Sequence, residues 1–352
     1  ADVPNLFETE SQSYIESTIM LWAFGNMLCE NLLQNSAIQR LIHFTDQQFD
    51  LIIMETFFLD CFLGFAHKFK VPVVQICSFG GTEFMGDFVG NPNPYAYVPD
   101  NFQSFSDKMN FKERLINTLG GLFQQVGRRL YFIPSQDKIM RKYFNYTDDI
   151  PSIAELQKST ALVLLNHHFS ISYPKPLVPN LVQVGGMHVE PSKDLPADLK
   201  KYIDEAPEGV IYFSMGSKLK TSLMPEDKLK VFLEVFSKLK QRVLFKWETD
   251  SLPGQPSNLK IGKWMPQSDI LVYVVLCSSH PNVRLFVTHG GLLSRQETII
   301  RGVPIVGIPI YGDQKLNMAR AETAGFGIQL EYRYLTTQTV FSALAEVLEN
   351  PR

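Results

Sequence analysis

The sequence has no run of roughly 18 uninterrupted apolar residues, the length that a membrane-spanning helix needs. It has no basic excess either, because its 352 residues carry a net charge of −3 and its pI is about 6.2. That balance argues against nucleic acid as the main partner. The first residues, Ala1-Asp2-Val3-Pro4, show no charged head followed by an apolar core, so we predict no targeting segment in the chain as given.

Cysteine is scarce, and its positions show no familiar spacing. Cys29, Cys61, Cys77 and Cys277 form no Cys-x-x-Cys pair and have no metal-ligand spacing with histidine. The pattern therefore predicts neither a zinc site nor a disulfide framework. What the sequence does contain is 45% apolar residues, over a length that can build two hydrophobic cores. We predict a soluble, globular chain of two domains.

Apolar β-branched runs alternate with amphipathic helical patterns in both halves of the chain. We predict strands at residues 49–55, 71–77, 161–165, 210–214, 242–246, 285–288 and 303–308, the first of them buried. Helices are predicted at residues 60–69, 111–144, 195–205, 225–239 and 292–301, with one or two more at 18–42. This alternation indicates an α/β fold with two parallel sheets. Residues 170–186, with three prolines and two adjacent glycines, are predicted to hold the domain boundary.

Residues 286–314 are the most informative stretch, because a strand there ends at His289-Gly290-Gly291 and a helix follows at once. The first N–H groups of such a helix are free and its dipole end is positive, so an anion can bind there. The strand at residues 210–214 ends in a second glycine turn, Met215-Gly216-Ser217. Ligands bind at the carboxyl ends of parallel strands, so we predict a phosphate pocket in this region.

Further motifs accompany this stretch in a fixed order. They are Trp264-Met265-Pro266-Gln267, His289-Gly290-Gly291, Ser294, Glu297, Gly302-Val303-Pro304 and Asp313-Gln314. In this order they resemble the donor-binding signature of the UDP-glycosyltransferases, most closely the insect members, and residues 49–70, 165–189 and 213–217 also look like that family. The resemblance implies a GT-B fold, in which two Rossmann-like domains with parallel sheets face a central cleft. It assigns residues 1–170 to an acceptor-binding domain, 171–192 to a linker and 193–352 to a UDP-sugar-binding domain.

The same resemblance implies the residues of a UDP-sugar site. They are Gly216, Ser217, Trp264, Met265, Gln267, His289, Gly291, Ser294, Glu297, Asp313 and Gln314. Trp264 would stack on uracil, and Gln267 and Glu297 would hydrogen-bond the ribose. The alternatives are a core tryptophan and, for Glu297, a solvated position on its helix.

The remaining roles concern the diphosphate and the sugar. His289 would hold the diphosphate, together with backbone groups of the two glycine turns, and stabilise its charge as it leaves. Asp313 and Gln314 would bind hydroxyls of the sugar. A structural histidine and an ordinary helix N-cap are the corresponding alternatives.

The implied reaction needs a general base, which typically contributes roughly 10²- to 10⁴-fold in rate. In the family the base is a histidine near the N-terminus, paired with an acidic residue at the end of a later strand. Glu55 falls at the acidic position, and Asp60 is its rival. The histidine is not found, because His43 lacks the family's Ser-His context and His67 lies inside the following helix.

The sequence departs from the family pattern at both ends and at one internal position. The family's first strands, and its final helices, membrane span and basic tail, have no counterpart here, so we expect a piece truncated at both ends. Residues 272–279 read as an apolar insertion. Leu293 replaces the asparagine of many relatives, although insect members often share the leucine.

The resemblance implies an enzyme that transfers a hexose, foremost glucose, from a UDP-sugar to a hydroxyl of a small lipophilic acceptor with inversion, as in conjugation and detoxification. No cofactor or metal is expected. The sequence has no Asp-x-Asp, the triplet with which metal-dependent transferases hold a cation against the diphosphate. The alternative is a non-catalytic UDP-sugar-binding protein without the base, and a UDP-sugar epimerase or hydrolase is a weaker third interpretation.

The resemblance also implies a cellular location. Family members lie in the lumen of the endoplasmic reticulum and are anchored in its membrane by a C-terminal segment that is absent here. The triplet Asn145-Tyr146-Thr147 is compatible with a secretory compartment.

Overall fold

The computed structural model describes residues 5–46, 48–145, 149–272 and 282–350. The chain divides into two compact units, which we call the N-terminal unit, Gln12–Gly185, and the C-terminal unit, Ala1–Ser11 with Gly186–Arg352. The predicted domain bounds stay a prediction, since compact units defined by contacts need not coincide with domains that bind different substrates. The predicted insertion at residues 272–279 lies, except for Val272, outside the described residues.

The N-terminal unit contains a four-stranded parallel sheet in the order β1-β2-β3-β4. The strands are β1 Ile52–Glu55, β2 Val73–Cys77, β3 Thr160–Leu165 and β4 Leu181–Gln183. The α-helices of this unit are α1 Tyr14–Leu33, α2 Ser36–His43, α3 Gly64–Phe69, α4 Glu83–Asp87, α5 Phe111–Gly127, α6 Ile133–Tyr143 and α7 Ile153–Leu156. None of the helices in the described ranges is long and apolar enough to cross a bilayer.

The buried strand predicted at residues 49–55 is wrong in one respect, because β1 is half exposed. Its side chains alternate between partly buried and exposed, and Ile53 is 61% exposed. Among the strands that the structure describes, β1 lies at the edge of the sheet and pairs only with β2. The apolar residues of the predicted strand suggested burial on both faces. One face of this edge strand is open to solvent instead.

The prediction that the cysteines form no disulfide is also wrong. Cys29 of α1 and Cys61 are bonded, with their Cα atoms 6.3 Å apart, and Cys77 is buried and free. The bonded pair is separated by 32 residues of sequence. Local spacing could not reveal the pair, because the fold brings α1 against the 3-10 turn Asp60–Leu63.

The long helix predicted at residues 111–144 is confirmed, but it is interrupted by a π-helical turn. α5 and α6 are joined by Arg128–Phe132, which has π-helical hydrogen bonding. Within this turn Arg128 is buried and its Nη2 lies 2.6 Å from Asp60 Oδ1. Its guanidinium carbon also lies 4.3 Å from the centre of the Phe84 ring. The irregular turn therefore coincides with a buried ion pair.

The C-terminal unit contains a six-stranded parallel sheet in the order β10-β9-β8-β5-β6-β7. Its strands are β5 Val210–Ser214, β6 Arg242–Lys246, β7 Leu259–Gly262, β8 Val283–Thr288, β9 Ile305–Gly307 and β10 Gly327–Gln329. Its α-helices are α8 Ala197–Asp204, α9 Glu226–Lys238, α10 Gln267–Val272, α11 Leu292–Arg301, α12 Gln314–Thr323 and α13 Thr337–Glu349. Strand order reverses between β5 and β8, which is where ligands bind in open α/β sheets.

The core of this unit lies on both faces of its sheet. Every residue of β5 is buried, and successive residues belong to different apolar clusters. Ile211 and Phe213 pack in one cluster, whereas Val210 and Tyr212 pack in the other. A central parallel strand that is covered on both faces has this pattern.

The first described residues of the chain also pack on the C-terminal unit. They form a short 3-10 helix, Leu6–Ser11, and Phe7 stacks on Tyr332 with ring centres 5.6 Å apart. Glu10 is almost buried, and its Oε2 lies 2.6 Å from Arg333 Nε. The N-terminal segment is thus held by an apolar contact and an ion pair.

Candidate functional site

The two glycine turns predicted from the sequence are in contact. Gly216, just after β5, has a φ of +82°. A Cβ atom at this position would lie 2.6 Å from His289 Cε1. Glycine is therefore favoured here for two reasons. It adopts the positive φ without strain, and it has no side chain to clash with the histidine ring.

α11 begins at the second turn, as predicted. Gly291 is its N-cap, and no side chain caps the helix. The first N–H groups and the positive dipole end thus remain available to an anion. Burial, and after it the charge of Lys246, lower the pKa of His289 to about 4, so the ring is neutral near pH 7.

Three predicted residues form one hydrogen-bonded cluster between α10 and α11. Gln267 Nε2 donates to Ser294 Oγ at 2.9 Å and to Glu297 Oε2 at 2.6 Å. Burial raises the pKa of Glu297, and the hydrogen bond from Gln267 opposes that rise. Glu297 is partly buried and bonded, so the solvated surface position considered as its alternative is wrong.

Trp264 and Met265 are adjacent in sequence but differ in environment. Trp264 is 75% exposed, so the alternative of a core tryptophan is wrong. Lys246, the last residue of β6, has its Nζ 5.7 Å from the centre of the Trp264 ring. Met265 is buried in the core, which leaves its backbone as the part that a ligand could reach.

Asp313 and Gln314 follow β9 and open α12. Gln314 is buried, and its Oε1 accepts hydrogen bonds from the backbone N–H groups of Ile310, at 2.8 Å, and Tyr311, at 3.1 Å. Its amide nitrogen is therefore the group it can offer to a ligand. Asp313 is the N-cap of α12 but makes no capping hydrogen bond through its side chain. Its Oδ2 accepts from Asn317 Nδ2 at 2.9 Å, and burial raises its pKa.

Two residues that hydrogen-bond the glycine turns were missed by the sequence reasoning. Asn317 Nδ2 also donates to the carbonyl of Gly290 at 3.1 Å, so it joins the second glycine turn to Asp313. Its spacing of four residues from Asp313 on a helix could have indicated the contact. Lys246 donates to the carbonyl of Gly216, and the signal for it was a charged residue at the carboxyl end of a strand whose three middle residues are apolar.

The two acidic candidates of the N-terminal unit have different partners. Glu55, at the end of β1, is exposed and accepts from the Ser78 hydroxyl at 2.9 Å and from the Ser78 N–H at 3.3 Å. Asp60 is buried, where it pairs with Arg128 and accepts from Gln157 Nε2 at 2.7 Å. Within the described part of the chain, no histidine hydrogen-bonds either carboxylate.

Comparison with known proteins gives the family. Residues 4–352 match the family described as UDP-glucoronosyl and UDP-glucosyl transferase. The chain is 37% identical over 324 residues to UDP-glycosyltransferase UGT5 of Dactylopius coccus, covering 92% of this chain and 60% of that protein. It is 35% identical over 266 residues to 2-hydroxyacylsphingosine 1-beta-galactosyltransferase of Rattus norvegicus, covering 75% of this chain and 47% of that protein. The chain thus spans about half to three fifths of the length of these relatives.

Among solved structures, the chain is similar to the glycotransferase of kitacinnamycin. The TM-score is 0.59 at 17% identity, covering 99% of this chain and 77% of the other. The predicted fold class, GT-B with a parallel α/β sheet in each half, is confirmed. Because the family match extends over residues 4–352, the chain belongs to the UDP-glucoronosyl and UDP-glucosyl transferase family.

Proposed function

We propose that this chain binds a UDP-sugar at the strand ends of its C-terminal unit and is part of an inverting hexosyltransferase. Its donor would be UDP-glucose and its acceptor a hydroxyl of a small lipophilic compound. The observation that carries the proposal is the contact of Gln267 with both Ser294 and Glu297, beside the glycine-led start of α11. Family membership supports the reaction class.

The nucleoside would be held by Trp264 and by the cluster around Gln267. An exposed indole face can stack on uracil, which is worth roughly 1–3 kcal/mol per base. Because Gln267 Nε2 already donates to Ser294 and Glu297, its carbonyl oxygen is left to accept from a ribose hydroxyl. The carboxylate of Glu297 would accept from the neighbouring hydroxyl.

The diphosphate would lie at the start of α11, where N–H groups and the helix dipole favour negative charge. His289 is neutral there and would donate a hydrogen bond, and the Ser217 N–H would add another. The sugar would meet a complementary pair, because Asp313 accepts hydrogen bonds and the amide nitrogen of Gln314 donates them.

In the proposed reaction the acceptor oxygen attacks the anomeric carbon of the sugar. The bond from that carbon to the phosphate oxygen breaks on the opposite face, UDP leaves with the electron pair, and the acceptor proton goes to a general base. We propose Glu55 as the acidic residue that orients this base. Asp60 is the weaker candidate because its carboxylate is already paired with Arg128. No metal is proposed to take part.

The second candidate is a UDP-sugar-binding protein without catalysis. One observation favours it: Glu55 hydrogen-bonds Ser78, and no described histidine is bonded to Glu55. A binder would retain the donor site of the C-terminal unit and would form no product.

The donor site can be tested by calorimetric titration with UDP, UDP-glucose, UDP-galactose and UDP-glucuronic acid. We expect UDP and UDP-glucose to bind in the micromolar range, with or without EDTA. The absence of binding at millimolar nucleotide would contradict both the transferase and the binder. Loss of binding with EDTA would contradict metal independence.

Transfer is tested separately with UDP-glucose and a panel of phenols and flavonoids. We expect glucoside formation, loss of product in His289→Ala, and a large decrease in Glu55→Ala. Binding without any product would favour the binder. If turnover persists in Glu55→Ala and vanishes in a folded Asp60→Ala protein, the acidic residue is Asp60.

We further propose that the protein works in the lumen of the endoplasmic reticulum. The disulfide between Cys29 and Cys61 supports an oxidising compartment, since such bonds are rare in the cytosol. Fractionation of cells that express the protein, with alkylation of free thiols before lysis, tests both the location and the bond.

A further inference from the structure

Lys246 is a buried cation without a carboxylate partner. It ends β6, its side chain is 8% exposed, and no described carboxylate lies within the 4 Å of an ion pair. Glu248 acts on it only at longer range. Burying an ammonium group without an opposite charge is costly, and desolvation accordingly lowers its pKa. A site that contains such an unpaired ammonium group is suited to an anionic ligand, because the ligand's charge would offset the cost of desolvation.

The position of Lys246 places its charge between the groups proposed to hold the two ends of the nucleotide. Its Nζ donates to the carbonyl of Gly216 and lies 5.7 Å from the centre of the Trp264 ring. Gly216 in turn packs directly against His289. A ligand that stacks on Trp264 and reaches the start of α11 therefore comes close to the ammonium group.

The residues predicted for the donor site include two acids and no lysine or arginine. Glu297 and Asp313 are acids, and Trp264 and Gln267 are neutral. His289 is also neutral near pH 7, partly because the Lys246 charge disfavours a second cation beside it. The start of α11 contributes only the equivalent of about half a positive charge. The predicted residues thus include no full positive charge for a diphosphate.

Resting on the proposed function, we propose that Lys246 is the cation that binds the diphosphate of the UDP-sugar, while His289 acts as a neutral hydrogen-bond donor. The charge on UDP increases as the bond to the sugar breaks, so Lys246 stabilises the leaving group as well as the bound donor. Lys246 contacts the ligand in this assignment and is not a support for the loop alone.

The test compares Lys246→Met and Lys246→Arg with the wild-type protein by calorimetric titration of uridine, UMP and UDP. Methionine keeps an unbranched side chain that is one heavy atom shorter, and it removes the charge. We expect Lys246→Met to weaken UDP binding about 30-fold or more, UMP binding less, and uridine binding less than twofold. Lys246→Arg should recover most of the UDP affinity.

Thermal unfolding without ligand separates binding from support. Because Lys246→Met removes an unpaired buried charge, its melting temperature without nucleotide should equal or exceed that of the wild type. The increase in melting temperature that saturating UDP produces should become smaller. Lys260→Met is the control, since Lys260 lies on the neighbouring strand β7 and is paired with Asp198 at 2.7 Å. Its UDP affinity should stay unchanged.

Three results would overturn the assignment. Equal losses for uridine and UDP would place the lysine at the base. A lower melting temperature for Lys246→Met without ligand, with full UDP affinity in the folded protein, would make it a support for the Gly216 turn. Failure of the wild type to bind UDP would reject the proposed function, and this inference with it.

Discussion

His289 makes the stability of the C-terminal unit depend on pH between its ordinary pKa of 6.5 and its folded value of about 4. As the pH falls through this window, the unfolded chain takes up a proton before the folded protein does. The contribution is therefore complete above pH 6.5 and is lost towards pH 4, by about 3 kcal/mol.

Urea denaturation of the ligand-free protein at pH 4.5 and 7 measures this change. In His289→Asn the free energy of unfolding should fall less between the two pH values than in the wild type. Carboxylates contribute to both proteins, so the comparison of the two differences isolates the histidine. If the free energy of unfolding falls equally in the two proteins, the imidazole ring of His289 is not held neutral in the folded state.

Trp264 is highly exposed and is proposed to bind UDP, so its effect on stability can be separated from its effect on UDP affinity. Trp264→Ala should change the free energy of unfolding by less than about 0.5 kcal/mol, because the ring is 75% exposed. UDP affinity should fall roughly 10- to 100-fold, the value of one stacked base. Tyr334→Ala, which removes a 73% exposed ring of the same unit, should leave UDP affinity unchanged. A similar loss in both variants would contradict a specific stacking role.

The two acidic candidates of the N-terminal unit should differ in their effect on stability. Asp60→Ala leaves the buried Arg128 without its partner and should cost about 3–5 kcal/mol. Glu55→Ala removes an exposed side chain whose partner is Ser78, and should cost less than about 1 kcal/mol. Denaturant titrations of both variants decide this. A stable Asp60→Ala protein would mean that the pair with Arg128 contributes little.

At the scale of the element, the Gly216 turn is constrained twice, by its conformation and by its neighbour. Gly216→Ala adds a side chain at a φ of +82° and places its Cβ against the His289 ring. We expect a loss of about 1 kcal/mol or more and the loss of UDP binding. Gly254→Ala is a matched control, because its φ is +73° but the nearest atom, of Leu233, lies 3.9 Å away. It should lose similar stability and keep UDP affinity.

The sequence predicted some elements to the residue and missed others. The bounds predicted for β5, β6 and α11 agree with the structure. β4 and β7 were missed because they are only three and four residues long and partly polar. An alternating apolar pattern cannot be detected over so few residues.

The candidate site shows a similar division. The motif residues Gln267, Ser294 and Glu297 are brought into contact as their order suggested. Asn317 was missed although its spacing of four residues from Asp313 could have indicated their contact. Lys246 was missed because its role depends on Gly216 and Trp264, which are distant in sequence. The bond between Cys29 and Cys61 was missed for the same reason.

At the scale of the whole molecule, the disulfide and the proposed donor site belong to different units. Replacing Cys29 and Cys61 by alanine should lower the stability of the N-terminal unit by roughly 3 kcal/mol, since the bond closes a loop of about 32 residues. UDP affinity should stay the same, because all proposed donor residues lie in the C-terminal unit. Scanning calorimetry and UDP titration of the double variant measure the two effects. A parallel loss of UDP affinity would show that the units are energetically coupled.

The N-terminal 3-10 helix gives the C-terminal unit an unusual order of assembly during synthesis. Phe7 and Glu10 leave the ribosome before Tyr332 and Arg333, which they contact, and Glu10 precedes Arg333 by 323 residues. The whole N-terminal unit is translated in between. Chaperones that act on the nascent chain would therefore meet Phe7 as exposed apolar surface until Tyr332 has been translated.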